Sequence, residues 1–352
     1  LTRPGLSFRL LGTVEGNDQG GDAAACGFAV EFVSLREQEE KMSVKTGNQI
    51  FFSAIVALFL ASTTAGLIPV RGDDAWQKEL INERALKDVE FKTSETSPMA
   101  GRERLTIPAG EKSFILARAG QLSVSPKAGE GAAFAVVFRG GEWFWDDAAP
   151  GIECRLEDKA VAVKSETLPP GCLFRVGNLS LAAYPGPETL ALIVFDPKRP
   201  QLVAFEHLLY YPPDPRYAVK ARLEKFAEQP KMKVTTTRKL EKTFYRFGLV
   251  HFRLDGKDLT LAALKTSLEG PDSRTLFIPF KDATNGGETY EVGRFLDVPE
   301  PTKDEFILDF NRCYNPLCNY SPAYNCPMPP LENILNVGIP AGEKTYPHEE
   351  NH

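Results

Sequence analysis

The spacing of apolar residues changes period along the chain. After Asp73 and Asp74, which can cap a helix, Trp76, Leu80, Ile81 and Leu86 recur at roughly helical spacing and predict one helix that stops before Ser97-Pro98. Beyond it the period falls to two. Ser113 to Ala117, Gln121 to Ser125, Ala132 to Phe138, Trp143 to Trp145, Ala160 to Val163, Leu179 to Ala183 and Leu190 to Phe195 read as strands, with Gly and Pro between them. Tyr210-Tyr-Pro-Pro-Asp-Pro215 removes ladder donors and fixes an extended path, so it reads as a linker. A second set follows at Tyr217 to Leu223, Lys233 to Thr237, Phe244 to Phe252, Leu259 to Leu264, Leu276 to Phe280, Thr289 to Leu296 and Phe306 to Phe310. Asp255-Gly256 is a turn signal that makes Phe247 to Leu264 a hairpin. The pattern predicts a mainly β protein of antiparallel sandwich or barrel-like units with an N-terminal helix. Its expected parts are a helix and linker at 73–98, a first β unit at 99–212 and a second at 213–352.

The N-terminal residues follow a different grammar. Residues 1–41 lack periodicity and read as upstream or disordered sequence. From Met42, a positive charge at Lys45, an apolar run from Ile50 to Leu60 and small residues at Ser62 to Ala65 have the order of a secretory signal peptide. The reading is therefore a periplasmic or secreted protein with no stable membrane span after cleavage at about residue 65.

Charge narrows the partners. The chain has 352 residues with 41 basic and 47 acidic, a net charge of −6, and loss of residues 1–65 changes it only to −4. Such a balance offers no attraction to phosphate backbones, so nucleic acid is not an expected partner. No P-loop, dinucleotide fingerprint, G-x-S-x-G elbow or H-E-x-x-H helix is present, and four histidines are too few for a histidine-rich metal centre. No cofactor or metal is implied.

Between Leu276 and Lys344 the composition becomes dense in polar residues of defined geometry, set among aromatics and prolines. Phe280 to Asp297 reads as two strands joined by an Asn285-Gly286 turn. Leu308-Asp-Phe-Asn-Arg-Cys-Tyr-Asn-Pro-Leu-Cys-Asn-Tyr320 leads through Tyr324-Asn-Cys326-Pro-Met-Pro-Pro330 to Glu332-Asn333 and Ala341-Gly-Glu-Lys344. This ordered run of about 70 residues resembles the bacterial and archaeal family called domain of unknown function 1684. Weaker echoes of that family occur at Glu83-Arg84, at Lys87-Asp88 and from Phe205 to Pro213. Cys313 and Glu206-His207 depart from the pattern, where alanine and a smaller pair are expected. The resemblance implies no catalytic residues.

Two readings of the dense segment stand side by side. Asp309, Asn311, Asn315 and Asn333 can brace loop amides while the prolines lower the entropy lost on ordering. Alternatively Tyr290, Arg294, Asp309, Asn311 and Glu332 converge on a pocket in which Arg294 grips a small polar or anionic ligand. The expected function is a noncatalytic small-ligand-binding module. The alternatives are a hydrolase using Asp309 and Glu332 as paired carboxylates, or a structural envelope protein. Export permits disulfides, with Cys318 to Cys326 and Cys154 to Cys172 as candidates and Cys313 left over.

Overall fold

The computed structural model describes residues 73–156 and 159–347. The segments read as upstream sequence (1–41) and signal peptide (42–65) lie outside the described residues.

Helix α1 (Asp73–Thr93) precedes β1 (Gly101–Pro108), β2 (Ser113–Arg118), β3 (Gln121–Ser125), β4 (Ala132–Arg139) and β5 (Glu142–Asp146). Then come β6 (Cys154–Leu156), β7 (Lys159–Ala160), β8 (Cys172–Val176), β9 (Leu179–Pro185), β10 (Thr189–Phe195) and the short α2 (Pro200–Ala204). The remaining strands are β11 (Ala218–Lys225), β12 (Lys231–Thr235), β13 (Glu241–Leu254), β14 (Lys257–Lys265), β15 (Thr275–Phe280), β16 (Arg294–Pro299) and β17 (Glu305–Asp309). The protein is mainly β, and every named strand pair is antiparallel.

Three sheets result. One runs β1-β10-β9-β8-β6-β7, a second β3-β2-β4-β5, and the third β16-β15-β14-β13-β11-β17 with β12 also on β13. Alternation along each strand supplies two buried faces, so three cores form. The first lies between the six-stranded and four-stranded sheets, where Phe134 stacks on Phe174 with ring centroids 4.1 Å apart. The second lies on one face of the seven-stranded sheet, where Leu276, Ile278, Phe280, Leu296 and Phe310 cluster with Leu335, Val337 and Ile339 from the C-terminal segment. The third joins the two halves. In it Ile193 and Phe195 of the six-stranded sheet cluster with Phe244, Phe277 and Phe295 of the seven-stranded sheet, and Phe91 of α1 joins them, its ring against Phe205 and Tyr320.

Several local expectations change. The Asp255-Gly256 turn is present with positive φ at both residues, as a tight two-residue hairpin turn requires. The strand expected from Thr289, however, begins only at Arg294. Asn285 explains the delay: its Oδ1 accepts from Asp282 N at 2.7 Å and its Nδ2 donates to Tyr290 O at 2.7 Å, which offers the backbone an alternative to the ladder. Strand β1 carries no apolar alternation in Gly101-Arg-Glu-Arg-Leu, and forms because β10 supplies an apolar partner over seven residue pairs. The helix presents a different face from the one its apolar spacing predicts: Leu80 and Phe91 are buried, whereas Ile81 and Leu86 are exposed.

Among the described residues, no helix is long and apolar enough to cross a membrane.

Candidate functional site

Arg294 opens β16 with its side chain, by alternation, on the same face as Leu296 and Val298 two and four residues on. It is fully buried and pairs with Asp282, itself sealed. One terminal nitrogen of the guanidinium donates to Ala341 O, the other to Asp282 Oδ2 and, at 2.8 Å, to Ile339 O. Burial opposes its charge, but Cys313 and Asp282 outweigh that and hold its pKa above the ordinary value. The preceding Gly293 has φ +122, and a side chain there would come within 2.6 Å of Phe280 O. The expected grip on an anionic ligand is therefore replaced by a clamp on the C-terminal segment, since no face of Arg294 is open.

The other expected residues do not gather around it. Asn311 is buried, exchanges two hydrogen bonds with the backbone of Asp214 (2.9 and 2.8 Å) and donates to Asp309 Oδ1 at 2.9 Å. Asp309 accepts from Trp76 Nε1 at 2.8 Å and pairs with Arg312 at 3.3 Å. Glu332 is exposed and pairs with Arg246, so the two carboxylates named as a hydrolytic pair bond to separate partners. Tyr290 is half-buried and turns its hydroxyl toward Cys318. Asn333 fills the brace role, bonding Ala262 N and O and Pro279 O.

A different set of groups meets where α1 lies against the dense segment. Glu83 pairs with Arg312, and Arg84 donates to Tyr211 O at 2.8 Å and Asn311 O at 3.1 Å. Lys87 Nζ reaches Glu343 Oε1 at 2.6 Å, and Asp88 accepts from Leu208 N at 2.8 Å. Glu343 is 1% exposed and saturated, since its Oε2 also accepts from Asn315 N at 2.8 Å and Tyr320 Oη at 2.7 Å. Burial, followed by the charge of Glu343, pushes the Tyr320 hydroxyl well above its ordinary pKa. The Lys87 ammonium sits 4.9 Å from the centroid of the Tyr314 ring.

Beside this network stands Asp297. Alternation along β16 places it with Phe295 on the face opposite Arg294, toward the joining core. Because β16 is an edge strand, Tyr314 can cover it, exchanging backbone bonds with Phe295 at 2.8 and 2.9 Å. Tyr314 Oη then donates to Asp297 Oδ2 at 2.7 Å. Asp297, Tyr314 and Lys87 are each half-buried. Packing from sheet and loop raises the Asp297 carboxyl to about 7, against the smaller lowering pull of Tyr314 and Lys87. Asp297, Glu343 and Lys87 fall inside motifs visible in the sequence, but burial and edge position, which single them out, have no sequence marker.

The expected disulfides are absent: Cys154, Cys172, Cys313, Cys318 and Cys326 are all free. Each expected pair is nonetheless in contact: Cys154 with Cys172, and Cys318 with Cys326. A cavity of about 480 Å³ also opens between the end of α1 and the β8–β9 turn, lined by Lys92, Glu95, Arg175, Asn178 and Ser180. Its charges are largely spent on one another, since Arg175 holds Glu95 at 2.9 and 2.7 Å. Among the described residues no group of three or more His, Cys, Asp or Glu side chains is placed to hold a metal ion.

Fold and side-chain geometry together define a mainly antiparallel β protein whose N-terminal helix is pinned by charge onto a braced C-terminal segment. Residues 203–344 match the model of the family described as "Protein of unknown function (DUF1684)", and the chain belongs to that family. An uncharacterized protein from Haloarcula marismortui, solved by solution NMR, is 35% identical over 41% of this chain and 80% of its own, with a TM-score of 0.36. No curated protein matches the chain.

Proposed function

We propose that this is an exported, noncatalytic binding protein, and that a small polar ligand bearing a basic group is taken at Asp297 with Tyr314 and Lys87 around it. The observation that carries this reading is the position of Asp297, a half-buried residue on the edge strand β16 whose Oδ2 accepts from Tyr314 Oη at 2.7 Å; burial raises its carboxyl to about 7. A carboxylate held at that cost gains more from a cation than an ordinary surface carboxylate does. The Tyr314 ring already holds the Lys87 ammonium 4.9 Å from its centroid, so a cation is tolerated beside Asp297. Binding is favoured over hydrolysis because Glu343, the neighbouring carboxylate, is sealed and saturated and so has no capacity left to act as a second acid or base. Export rests on the leader-like order of residues 42–65.

The test is a thermal-shift screen of the chain from residue 73 onward with primary amines, amino acids, polyamines and neutral sugars, repeated on Asp297→Asn. An amine that raises the melting temperature of the parent at pH 7.5, less so at pH 6, and not that of the variant supports the reading. Equal shifts in parent and variant, or none with any basic compound, contradict it.

A further inference from the structure

Of the described cysteines, Cys318 stands apart. Cys154, Cys172, Cys313 and Cys326 are buried to 1% exposure or less, whereas Cys318 is half-buried, on the short 3₁₀ turn Leu317–Asn319. Three features surround its sulfur. The Tyr290 hydroxyl lies 3.6 Å from Cys318 Sγ and 3.4 Å from Cys318 O. Cys326 Sγ accepts from the Cys318 backbone N at 3.3 Å, which fixes the second thiol beside the first. Thr237, whose Oγ1 accepts from Cys326 N at 3.1 Å, also turns its hydroxyl to Cys318.

We propose that Cys318 is a peroxide-reactive nucleophile and Cys326 its resolving thiol, forming a reversible redox site. A donor-rich setting stabilises a thiolate, and a partner sulfur in contact converts the first oxidation product to a disulfide before it oxidises further. In the first step the Cys318 thiolate attacks one oxygen of a hydroperoxide. The S–O bond forms, the O–O bond breaks, and the other oxygen leaves as alcohol or water after taking a proton from solvent; sulfur loses two electrons and the peroxide gains them. In the second step the sulfur of Cys326 displaces hydroxide from the sulfenic sulfur. The S–S bond forms, the S–O bond breaks, and the Cys326 proton leaves with the hydroxide as water. A thiol reductant reopens the pair by exchange.

Hydrogen bonds from Cys326, Tyr290 and Thr237 hold the Cys318 thiol below its ordinary pKa although burial opposes them, whereas burial pushes Cys313 up to about 11. The titratable groups facing Cys318 are Tyr290 and Cys326. The site is separate from Asp297, so either proposal can fail alone.

The experiment treats the folded, reduced chain with N-ethylmaleimide, and in parallel with hydrogen peroxide, followed by peptide mapping. Cys318 is expected to alkylate roughly tenfold faster than the other described cysteines. Peroxide is expected to give a dithiothreitol-reversible Cys318–Cys326 cross-link. In Cys326→Ser, dimedone is expected to trap the sulfenic acid on Cys318, and in Tyr290→Phe the pH midpoint of Cys318 alkylation should rise. Uniform alkylation, absence of both cross-link and dimedone adduct under peroxide, or a pair already closed on isolation and resistant to dithiothreitol would overturn the proposal. The first two readouts use the parent chain and do not depend on a variant folding.

Discussion

At the scale of single residues, two charged side chains on one strand have opposite fates. Arg294 and Asp297 are three apart on β16 and so face opposite sides of the sheet, one sealed within the C-terminal clamp and one half-buried at the edge. Removing Arg294 leaves Asp282 charged and buried without its cation, a loss of about 3–5 kcal/mol. Arg294→Met should therefore lower the urea midpoint sharply, and Arg294→Met with Asp282→Asn should recover part of it. A ligand grip would instead show unchanged stability. For Asp297 the sign is fixed by its upward shift. Between about pH 4 and 7 the unfolded chain releases this proton while the folded chain keeps it, so the carboxyl increasingly costs stability as pH rises and the cost is complete above about 7. Asp297→Asn should be more stable than the parent above pH 7, by about 1–3 kcal/mol, with the advantage fading toward pH 4. Denaturant midpoints across that range check it. The brace reading of Asp309, Asn311 and Asn333 was legible in the sequence, because Asx side chains near turns bond backbone amides. It stood beside a ligand reading that claimed Asp309 and Asn311 as well, and the residue types alone do not choose between them. The ligand reading misplaced Arg294, since an arginine in a polar motif looks the same whether it faces ligand or carbonyls.

At the scale of elements, α1 is the instructive case. Its apolar spacing suggested a stripe through Ile81 and Leu86, yet the face that docks carries Glu83, Arg84, Lys87 and Asp88. Periodicity of apolar residues misses a helix held by charge; the same four residues were visible only as a motif. Such an attachment depends on partners. Lys87→Met strands the buried Glu343 and should cost about 3 kcal/mol, whereas Lys87→Met with Glu343→Gln should cost much less, a coupling readable in a double-mutant cycle. The C-terminal segment tolerates equally little change. At Gly342, φ is +74 and a side chain would collide with Cys313. Gly342→Ala should thus destabilise by about 2 kcal/mol, measured as a lowered thermal midpoint.

At the scale of the molecule, the sequence indicated two β sets separated by the proline-rich stretch at 210–215, and the antiparallel class followed from strand length and turn chemistry. What it did not reveal was the shared core. Phe244, Phe277 and Phe295 share one core with Ile193, Phe195 and Phe91, residues 49 to 204 positions away in sequence, which no local pattern encodes. The region matched by the family, 203–344, accordingly leans on residues before it. A chain limited to residues 203–347 would expose that aromatic face and is expected to aggregate or bind hydrophobic dyes, whereas residues 73–347 should unfold cooperatively. A soluble, well-dispersed NMR spectrum from 203–347 would contradict the shared core.

The carboxyl of Asp297 provides the most direct measurement. Its ¹³Cγ resonance, assigned by comparison with Asp297→Asn and followed by NMR from pH 3 to 9, should titrate near 7 and move to lower pH when a basic ligand is bound. A midpoint near the ordinary 3.8, unmoved by any amine, would contradict the placement of the ligand there.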